Sequence, residues 1–441
     1  MQFKQYPSYK PSGVEWLGDV PEHWDSCNLK FISKIYAGGT PDRNRLDYWV
    51  KGEIPWINSG AVNQVIIKEP SEYITELGLK NSSAKYIPVN SLVMALAGQG
   101  KTKGMVAYTS IETTCNQSMA AIVPKNYHYK FLYYWLDSNY QNIRNLTGGD
   151  NRDGLNLAVL SNIPCPKISI VEQTQIVSFL DTETTRIDNL IAKQEKLIEL
   201  LEEQRKSIIS HAVTKGLNPN APMKDSGVEW LGEVPEHFDS IKIKQLAISK
   251  LTYGANESAE QEIKEHPRYI RITDIKNDGT LNPESFKSLP PEIAEQYLLA
   301  NNDILFARSG ATVGKTFKYS DSWGVCCFAG YLIKLSVNVK IANPDYVFYY
   351  LNSYPYWEYI ASNQSQSTIQ NVSAEKYANF TIAIPKIFEQ EKIVSFLDSE
   401  TSRIDSLIAK QEKLIEKLKE YRSTIISHAV TGKIDVRDFD A

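Results

Sequence analysis

Residues Ile176–Ile198 read IVSFLDTETTRIDNLIAKQEKLI, and Ile393–Ile415 read IVSFLDSETSRIDSLIAKQEKLI. Three of these 23 positions differ, and each difference exchanges one small polar residue for another. The chain therefore carries an internal duplication, and we expect its two copies to have the same mechanical role.

The hydrophobic period of this repeat predicts a long helix with one apolar stripe. Counted in heptads from Leu180, apolar residues recur at positions a and d, with further isoleucines at e. No glycine or proline interrupts residues 171–215 or 388–431, so each helix can run for about 40 residues, or about 60 Å. Neither helix can bury its stripe alone, which predicts that the two pack on each other. The residues predicted to form this packing are Ile187, Leu190, Gln194, Leu197, Leu201, Ile404, Leu407, Gln411, Leu414 and Leu418.

A glutamine occupies one a position in each copy, Gln194 in the first and Gln411 in the second. A polar residue at a single a position fixes the register of paired helices at a cost in stability. The alternative is that both glutamines lie on a solvated edge.

Composition sets bounds on the class of protein. The 441 residues suffice for two or three domains, and a net charge of −4 with a pI near 6.0 is not typical of a general nucleic-acid binder. Five cysteines without a Cys-x-x-Cys pair favour a reducing compartment and argue against structural zinc. The sequence shows neither a leader-like apolar segment nor a stretch long enough to span a bilayer, so we expect a cytoplasmic protein.

A second repeated block opens each half of the chain: residues 12–23 read SGVEWLGDVPEH, and residues 226–237 read SGVEWLGEVPEH. The plan is therefore an opening block, a variable region and a long helix, taken twice. The predicted segments are a first domain (1–169), a first long helix (170–215), a linker (216–227), a second domain (228–386), a second long helix (387–431) and a tail (432–441).

The variable regions are predicted to mix strands and helices, which makes the fold α+β. The predicted strands are Ile54–Ile57, Ser91–Ala97, Ala120–Val123, Tyr269–Ile272, Asp303–Ala307 and Tyr331–Leu335. Two amphipathic helices are predicted at Tyr129–Leu136 and Asp345–Asn352.

Polar loops between these elements are rich in the side chains that pair with base edges and phosphates. Ordinary solvated loops have the same composition, so this interpretation competes with a purely structural one. The predicted DNA contacts are Thr40, Arg43, Arg45, Asn58, Ser59, Gln99, Lys101, Lys103, Asn151, Arg152, Arg271, Lys276, Arg308, Ser309, Thr312, Lys315, Gln364, Gln366 and Gln370.

The stretch GATVGKT at Gly310–Thr316 resembles a phosphate-binding loop but is one residue short, because the required first glycine falls on Ser309. The corresponding stretch in the first half, ALAGQGKTKGM, aligns Ala97 with Ala307 and Gly104 with Gly314. The feature shared by the halves is a glycine-rich loop after a strand. Catalytic motifs such as HExxH and GxSxG do not occur in the sequence.

The repeated blocks resemble the specificity subunit of type I restriction-modification systems. The resemblance rests on SGVEWLG-x-VPEHW/F at the start of each half, AGGTP at Ala37–Pro41, IPWI at Ile54–Ile57, and the repeated helix. It implies two α/β target-recognition domains separated by an antiparallel coiled coil, with internal pseudo-twofold symmetry. It also implies a DNA-binding subunit that is itself non-catalytic. No metal site is predicted for this chain.

The same resemblance implies partners. Each domain would read one half of a split double-stranded DNA site, and the helices would set the gap and dock two modification (methyltransferase) subunits and, through them, restriction (ATPase/endonuclease) subunits. S-adenosylmethionine, ATP and Mg²⁺ would belong to those partners, which carry adenine methylation and ATP-dependent cleavage. No cofactor is expected on this chain.

Two other interpretations stay open: a coiled-coil scaffold without DNA specificity, and a nucleotide-binding enzyme that uses the GATVGKT loop. The second domain departs from the family pattern, because it lacks AGGTP and IPWI. Contact residues therefore cannot be transferred between the halves from sequence.

Overall fold

In the computed structural model, which describes residues 3–97, 101–147, 154–258, 260–276, 279–364 and 371–439, the chain forms two compact units. Unit 1 comprises Met1–Gln194 and Lys413–Ala441, and unit 2 comprises Glu195–Glu412. Each unit thus takes in one variable region and part of each long helix. No helix in the described ranges is long and apolar enough to cross a membrane.

The described residues of unit 1 form twelve strands and the first part of a long helix, and the elements follow in chain order. They are β1 (Tyr9–Pro11), β2 (Asp19–Pro21), β3 (Asp25–Asn28), α1 (Leu29–Ile32), β4 (Ser33–Ala37), β5 (Ile54–Ile57), β6 (Ile66–Ile67), β7 (Glu72–Ile74), α2 (Glu76–Lys80), β8 (Leu92–Ala95), β9 (Val106–Thr109), β10 (Thr114–Cys115), β11 (Met119–Pro124), α3 (Tyr129–Ser138), α4 (Tyr140–Asn145), α5 (Leu157–Ser161), β12 (Pro164–Lys167) and α6 (Ile170–Lys215).

Unit 2 repeats this plan and contains the start of the second long helix. Its elements are β13 (Met223–Asp225), β14 (Glu233–Pro235), β15 (Asp239–Lys242), α7 (Ile243–Leu246), β16 (Thr252–Tyr253), β17 (Arg268–Ile270), α8 (Pro291–Ala294), β18 (Ile304–Ala307), β19 (Thr316–Lys318), β20 (Cys326–Phe328), β21 (Leu332–Leu335), α9 (Pro344–Tyr350), α10 (Tyr354–Gln364), α11 (Ala374–Asn379), β22 (Thr381–Ile384) and α12 (Ile387–Val430).

The main sheets have matching topologies. Unit 1 has the order β4-β11-β8-β9-β6, and unit 2 has β16-β21-β18-β19. Beside each sheet lies a parallel pair, β5 with β10 in unit 1 and β17 with β20 in unit 2. Mixed helix and strand content confirms the α+β prediction.

The central strands β8 (LVMA) and β18 (ILFA) are buried at every position. Alternate residues point to opposite faces of a sheet, and here both faces are covered. In unit 1, Leu92 and Met94 belong to one apolar core and Val93 and Ala95 to another. Such strands read as continuous apolar runs, as expected when both faces are buried.

The two long helices run antiparallel within each unit. In unit 1, Asp188 forms a bidentate ion pair with Arg422 at 2.8 and 3.2 Å, while residues near the start of α6 pack with residues at the end of α12. In unit 2, Arg205 pairs with Asp405 at 3.1 Å. The duplication relates these ion pairs, because 188 corresponds to 405 and 205 to 422.

The packing seam of α6 differs from the predicted one. Leu180, Thr184, Ile187, Ile191 and Gln194 are buried or half-buried at alternating spacings of four and three. The seam therefore uses heptad positions a and e, whereas the sequence pattern predicted a and d.

Leucines predicted at d consequently lie at the edge or outside the seam. Leu197 and Leu414 are 39% and 40% exposed, which corrects their predicted packing role, and Leu190 and Leu407 are half-buried. Of the other predicted packing residues, Ile187, Leu201 and Ile404 are buried, and Gln194, Gln411 and Leu418 are half-buried.

A threonine conceals the true seam in the sequence. Thr184 is buried, and its hydroxyl donates to the Leu180 carbonyl at 2.6 Å. Thr401 makes the same bond to Leu397 at 2.7 Å. Because the hydroxyl is satisfied inside the helix, the methyl group can pack as an apolar side chain.

The repeated opening block anchors the first turn of each long helix. In unit 1, the buried carboxylate of Glu172 accepts hydrogen bonds from the Tyr6 hydroxyl (2.8 Å) and the Trp24 indole (3.0 Å), and His23 Nε2 lies 3.0 Å away. In unit 2, Glu389 contacts His237 at 2.9 Å and is 30% exposed. Carboxylates are also favoured in a first helical turn by the helix dipole.

We expect Glu172→Ala to destabilise unit 1 by about 2–4 kcal/mol, because it leaves the Tyr6 hydroxyl and the Trp24 indole buried without their acceptor. The matched control is Glu389→Ala, for which we expect about 1 kcal/mol or less. Urea denaturation followed by tryptophan fluorescence measures both. Equal losses for the two variants would contradict the assignment of Glu172 as a buried anchor.

Candidate nucleic-acid interface

In unit 1, the loops after β4, β5 and β10 meet through close backbone contacts. The Gly39 N–H donates to the Cys115 carbonyl at 2.8 Å, and the Trp56 indole donates to the Gly39 carbonyl at 3.0 Å. A Cβ on Gly38 would lie 2.1 Å from the Cys115 carbonyl oxygen. The AGGTP and IPWI motifs therefore hold the polar loop that contains Thr40 against the strand ends.

Unit 2 has structural counterparts of both motifs, although its sequence contains neither. The Ala255 N–H donates to the Phe328 carbonyl at 2.8 Å, and the Tyr269 hydroxyl donates to the Ala255 carbonyl at 2.8 Å. A Cβ on Gly254 would lie 2.2 Å from the Phe328 oxygen. The segment YGANE (253–257) thus corresponds to AGGTP, and Tyr269 makes the hydrogen bond that Trp56 makes in unit 1. The sequence does not reveal this correspondence, because AGGTP and YGANE share only one residue, the glycine at positions 38 and 254.

The glycine-rich loops also correspond. Gly104 and Gly314 both have φ of +85°, and their N–H groups donate to Ala95 (2.9 Å) and Ala307 (3.0 Å). The predicted pairing of Gly104 with Gly314 therefore agrees with the geometry. At the strand end, however, Ala95 rather than Ala97 matches Ala307, so the first loop is two residues longer.

GATVGKT does not have the geometry of a nucleotide-binding P-loop. Gly310–Thr312 forms a 3-10 turn, and Thr316 begins the strand β19. A P-loop lysine and threonine instead open a helix whose N-terminus faces the phosphates. This corrects the interpretation of the stretch as a P-loop.

Several predicted contacts in unit 1 are engaged within the unit. Arg43 lies 3.7 Å above the Trp49 ring and pairs with Glu72 at 2.6 and 2.9 Å. Arg45 pairs with Asp47 at 2.7 Å. Both arginines are exposed. Their ion pairs hold them in place, and part of each side chain still faces solvent.

The remaining described residues predicted in unit 1 divide between loop structure and surface. Thr40 donates to Gln117, and Asn58 caps the 3-10 turn that Ser59 begins by accepting from the Gly60 N–H at 2.9 Å. Lys101 is exposed. Lys103 is only 3% exposed, which corrects its prediction as a surface phosphate contact.

In unit 2, Arg271 serves the fold. It bonds the nearly fully buried carboxylate of Asp274 at 2.7 and 3.0 Å and the Ser285 carbonyl at 3.0 Å. Ser309 precedes the 3-10 turn and pairs with Asn371 across a β-bridge. Lys276, Thr312 and Lys315 line a separate cavity.

Among the predicted DNA contacts, Arg308 has the surroundings best suited to binding a base. Its guanidinium is 4.8 Å from the Tyr253 ring and donates to the Gly330 carbonyl at 3.4 Å. Its buried Nε has no hydrogen-bond partner among the described residues. A stacked, partly unsatisfied arginine is suited to bidentate contact with guanine or phosphate.

Tyrosines beside Arg308 were missed from sequence. Tyr331 is 65% exposed and, with Asn256, Arg271 and Gly330, lines a concavity of about 340 Å³. Tyr253 is 42% exposed. No spacing pattern distinguishes these residues among 25 tyrosines, and only the tertiary contacts bring them together.

Six predicted contacts are not described. Gln99, Asn151, Arg152, Gln366 and Gln370 lie outside the described residues, and the same holds for the side chain of Gln364.

The fold and its loops define a class: a duplicated scaffold with two equivalent polar loop surfaces and a pair of repeated long helices. The model of the type I restriction modification DNA specificity domain matches residues 21–202 and 235–419. The chain therefore belongs to this family and contains its DNA target-recognition domain twice.

Individual relatives agree with this assignment. The chain is 31% identical over 206 residues to the EcoR124I/EcoR124II specificity subunit of Escherichia coli, a match that covers 45% of this chain and 48% of that relative. It is 23% identical to the MjaVIII specificity subunit of Methanocaldococcus jannaschii, with 96% and 95% covered.

Two solved structures share the fold. One, from a study of complex assembly and conformational transition of the type I R-M system, has a TM-score of 0.72 at 16% identity and covers 93% of this chain and 98% of its own. The HsdS subunit from Thermoanaerobacter tengcongensis has a TM-score of 0.54 at 16% identity, with 94% and 98% covered.

Proposed function

We propose that each unit of this specificity subunit reads one half of a split double-stranded DNA site. The observation that carries the proposal is a shared loop framework with different side chains at equivalent positions. A Cβ added to Gly38 or to Gly254 would lie 2.1 or 2.2 Å from a backbone carbonyl oxygen, so both units have the same close backbone approach at this position. Several residues at equivalent loop positions differ between the units.

Equivalent positions follow from matching hydrogen bonds. The Leu96 N–H donates to the Ser118 carbonyl, and the Arg308 N–H donates to the Tyr331 carbonyl, at 2.8 and 3.0 Å. Arg308 and Tyr331 in unit 2 therefore stand where unit 1 has Leu96, which is buried in the core, and Ser118. Thr40 and Gln117 correspond in the same way to Asn256 and Gly330.

This contrast favours DNA reading over a scaffold without DNA specificity. Both units also match the family's DNA specificity domain, over residues 21–202 and 235–419. Two surfaces that keep one backbone geometry but present different hydrogen-bonding groups are suited to two different base sequences.

We further propose that the long helices set the gap between half-sites and dock two modification subunits, and through them restriction subunits. Exposed apolar residues on these helices, such as Leu197 and Phe396, offer contact surface. The subunit would itself be non-catalytic. S-adenosylmethionine, ATP and Mg²⁺, the cofactors of methyl transfer and cleavage, would be bound by those partners in the cytoplasm.

Methylation-sensitive sequencing of DNA from cells that express this chain with its modification subunit tests the proposal. We expect a split motif, of which one half changes when residues 26–168 are replaced by the equivalent region of a relative. The matched control replaces residues 240–385 and should change the other half.

A change in both halves from one replacement would contradict independent reading by the two units. No methylation from an assembled, catalytically competent complex would instead favour the scaffold without DNA specificity.

A further inference from the structure

Unit 2 contains a cavity of about 640 Å³. Its walls come from the part of α6 in unit 2, the 3-10 turn after β17, the strand β19 with the loop before it, and the helices α9 and α10. This volume lies within the range of about 300–1,000 Å³ that is typical of small-molecule sites. Duplex DNA is a convex rod and cannot enter such a concave site, whereas a single nucleotide can.

Positive charge dominates the lining. Five cationic side chains reach the cavity from four elements or loops, and none of the described residues that line it is acidic: Arg205, Lys206, Lys276, Lys315 and Lys318. Acidic residues outside the lining pair with two of them, Asp405 with Arg205 and Asp345 with Lys318. Burial lowers the pKa of Lys318, and the nearby Asp398 carboxylate offsets part of that effect. A bound anion would therefore stabilise the charged ammonium.

Apolar and aromatic side chains form the rest of the wall. Phe348, Tyr349 and Trp357 line it together with Ile272. Trp357 is 40% exposed, so its ring is accessible to a planar ligand. Phosphates recognised by lysine and arginine, with a ring stacked on an aromatic face, are the two recognition elements of a nucleotide.

Unit 1 has different residues at three of the equivalent positions, although Arg205 corresponds to Arg422. The offset of 217 pairs Lys206 with Ser423, and the matched glycines Gly104 and Gly314 pair Lys315 with Met105 and Lys318 with Tyr108. The Tyr108 ring packs edge-on against Tyr133 at 5.3 Å and Tyr129 at 5.5 Å. The duplicated framework therefore accommodates uncharged residues at these positions in unit 1, whereas Lys318 of unit 2 pairs with Asp345.

We propose that this cavity binds a nucleoside di- or triphosphate, with the phosphates on Lys315, Lys318 and Arg205 and the base against Trp357. The site goes beyond DNA reading, involves no covalent step and differs from a P-loop, because its lysines come from a strand and the turn before it.

Isothermal titration of the full-length chain with ADP, in the absence of DNA, tests the site. We expect the wild-type chain to bind ADP saturably. The double variant Lys315→Met/Lys318→Tyr should bind ADP about a hundredfold more weakly, since two charge-assisted contacts are lost. Unit 1 carries these residues at the equivalent positions, and a thermal melt checks that the variant is folded. The control Lys340→Met, at an exposed position, should bind ADP normally.

Inorganic pyrophosphate and Trp357→Ala separate the two parts of the site. We expect pyrophosphate to bind more weakly than ADP, and Trp357→Ala to weaken ADP without affecting pyrophosphate. Equal affinities for ADP and pyrophosphate would overturn the nucleotide assignment.

Absence of ADP binding at millimolar concentration would also overturn it. If the double lysine variant then lost DNA affinity, the lysines would serve DNA phosphates instead. The half-site experiment does not depend on this cavity, so the two proposals can fail separately.

Discussion

Replacing Ile187 and Ile404 with aspartate is expected to unfold both units. Each isoleucine is fully buried in the helix seam, one in unit 1 and the other in unit 2. A carboxylate there has no partner, and burying it costs more than about 4 kcal/mol per site. That is comparable with the whole stability of a domain, about 5–15 kcal/mol. Circular dichroism of the isolated chain under urea measures the loss.

The matched control replaces Leu197 and Leu414 with aspartate. These leucines belong to the same duplicated segment and were predicted to pack, but they are 39% and 40% exposed. We expect the control to stay within about 1 kcal/mol of the wild-type free energy of unfolding. If it unfolds as readily as the isoleucine variant, position d lies in the seam after all.

The isoleucine and leucine variants together test which heptad position, d or e, packs in the seam, because the sequence left this ambiguous. A spacing of four and three fits a with d and a with e equally well, and leucines at d were more visible than threonine at e. Thr184 packs because its hydroxyl bonds the Leu180 carbonyl. Side-chain hydrogen bonding of this kind depends on rotamers and leaves no mark in hydrophobic periodicity.

Strands were predictable where local preference and burial agree. The strand β5 has the predicted bounds, Ile54–Ile57, and β8 and β18 fall within their predicted segments. The predicted strand at Tyr269–Ile272 ends early, since Ile272 enters a 3-10 turn. That turn is held by the Arg271–Asp274 pair, a contact formed in the folded unit.

The loop surfaces were only partly predictable. Loop composition drew attention to Arg308, but its stacking on Tyr253 depends on contacts between residues 55 positions apart. Composition also drew attention to Lys103, which is buried. Residue type indicates what a side chain can bind, whereas exposure is decided by packing.

Removing one heptad from each long helix is expected to shorten the gap of the recognised DNA site without changing either half. The deletion takes residues 198–204 and 406–412, which face each other in unit 2 because Arg205 pairs with Asp405 and the helices are antiparallel. It preserves the spacing of the seam. Seven residues shorten the helix pair by about 10 Å, which equals about three base steps of about 3.4 Å.

Methylation-sensitive sequencing reads both quantities at once. The proposed role of the helices requires the gap to change while the half-sites stay the same, since the recognition loops lie outside the deleted residues. The control deletes residues 198–204 alone. That leaves residues 406–412 without their facing partners and breaks the register of the seam, so we expect loss of the folded helix pair and of methylation. An unchanged gap from the paired deletion, in a complex that still methylates DNA, would show that the helices do not set the spacing.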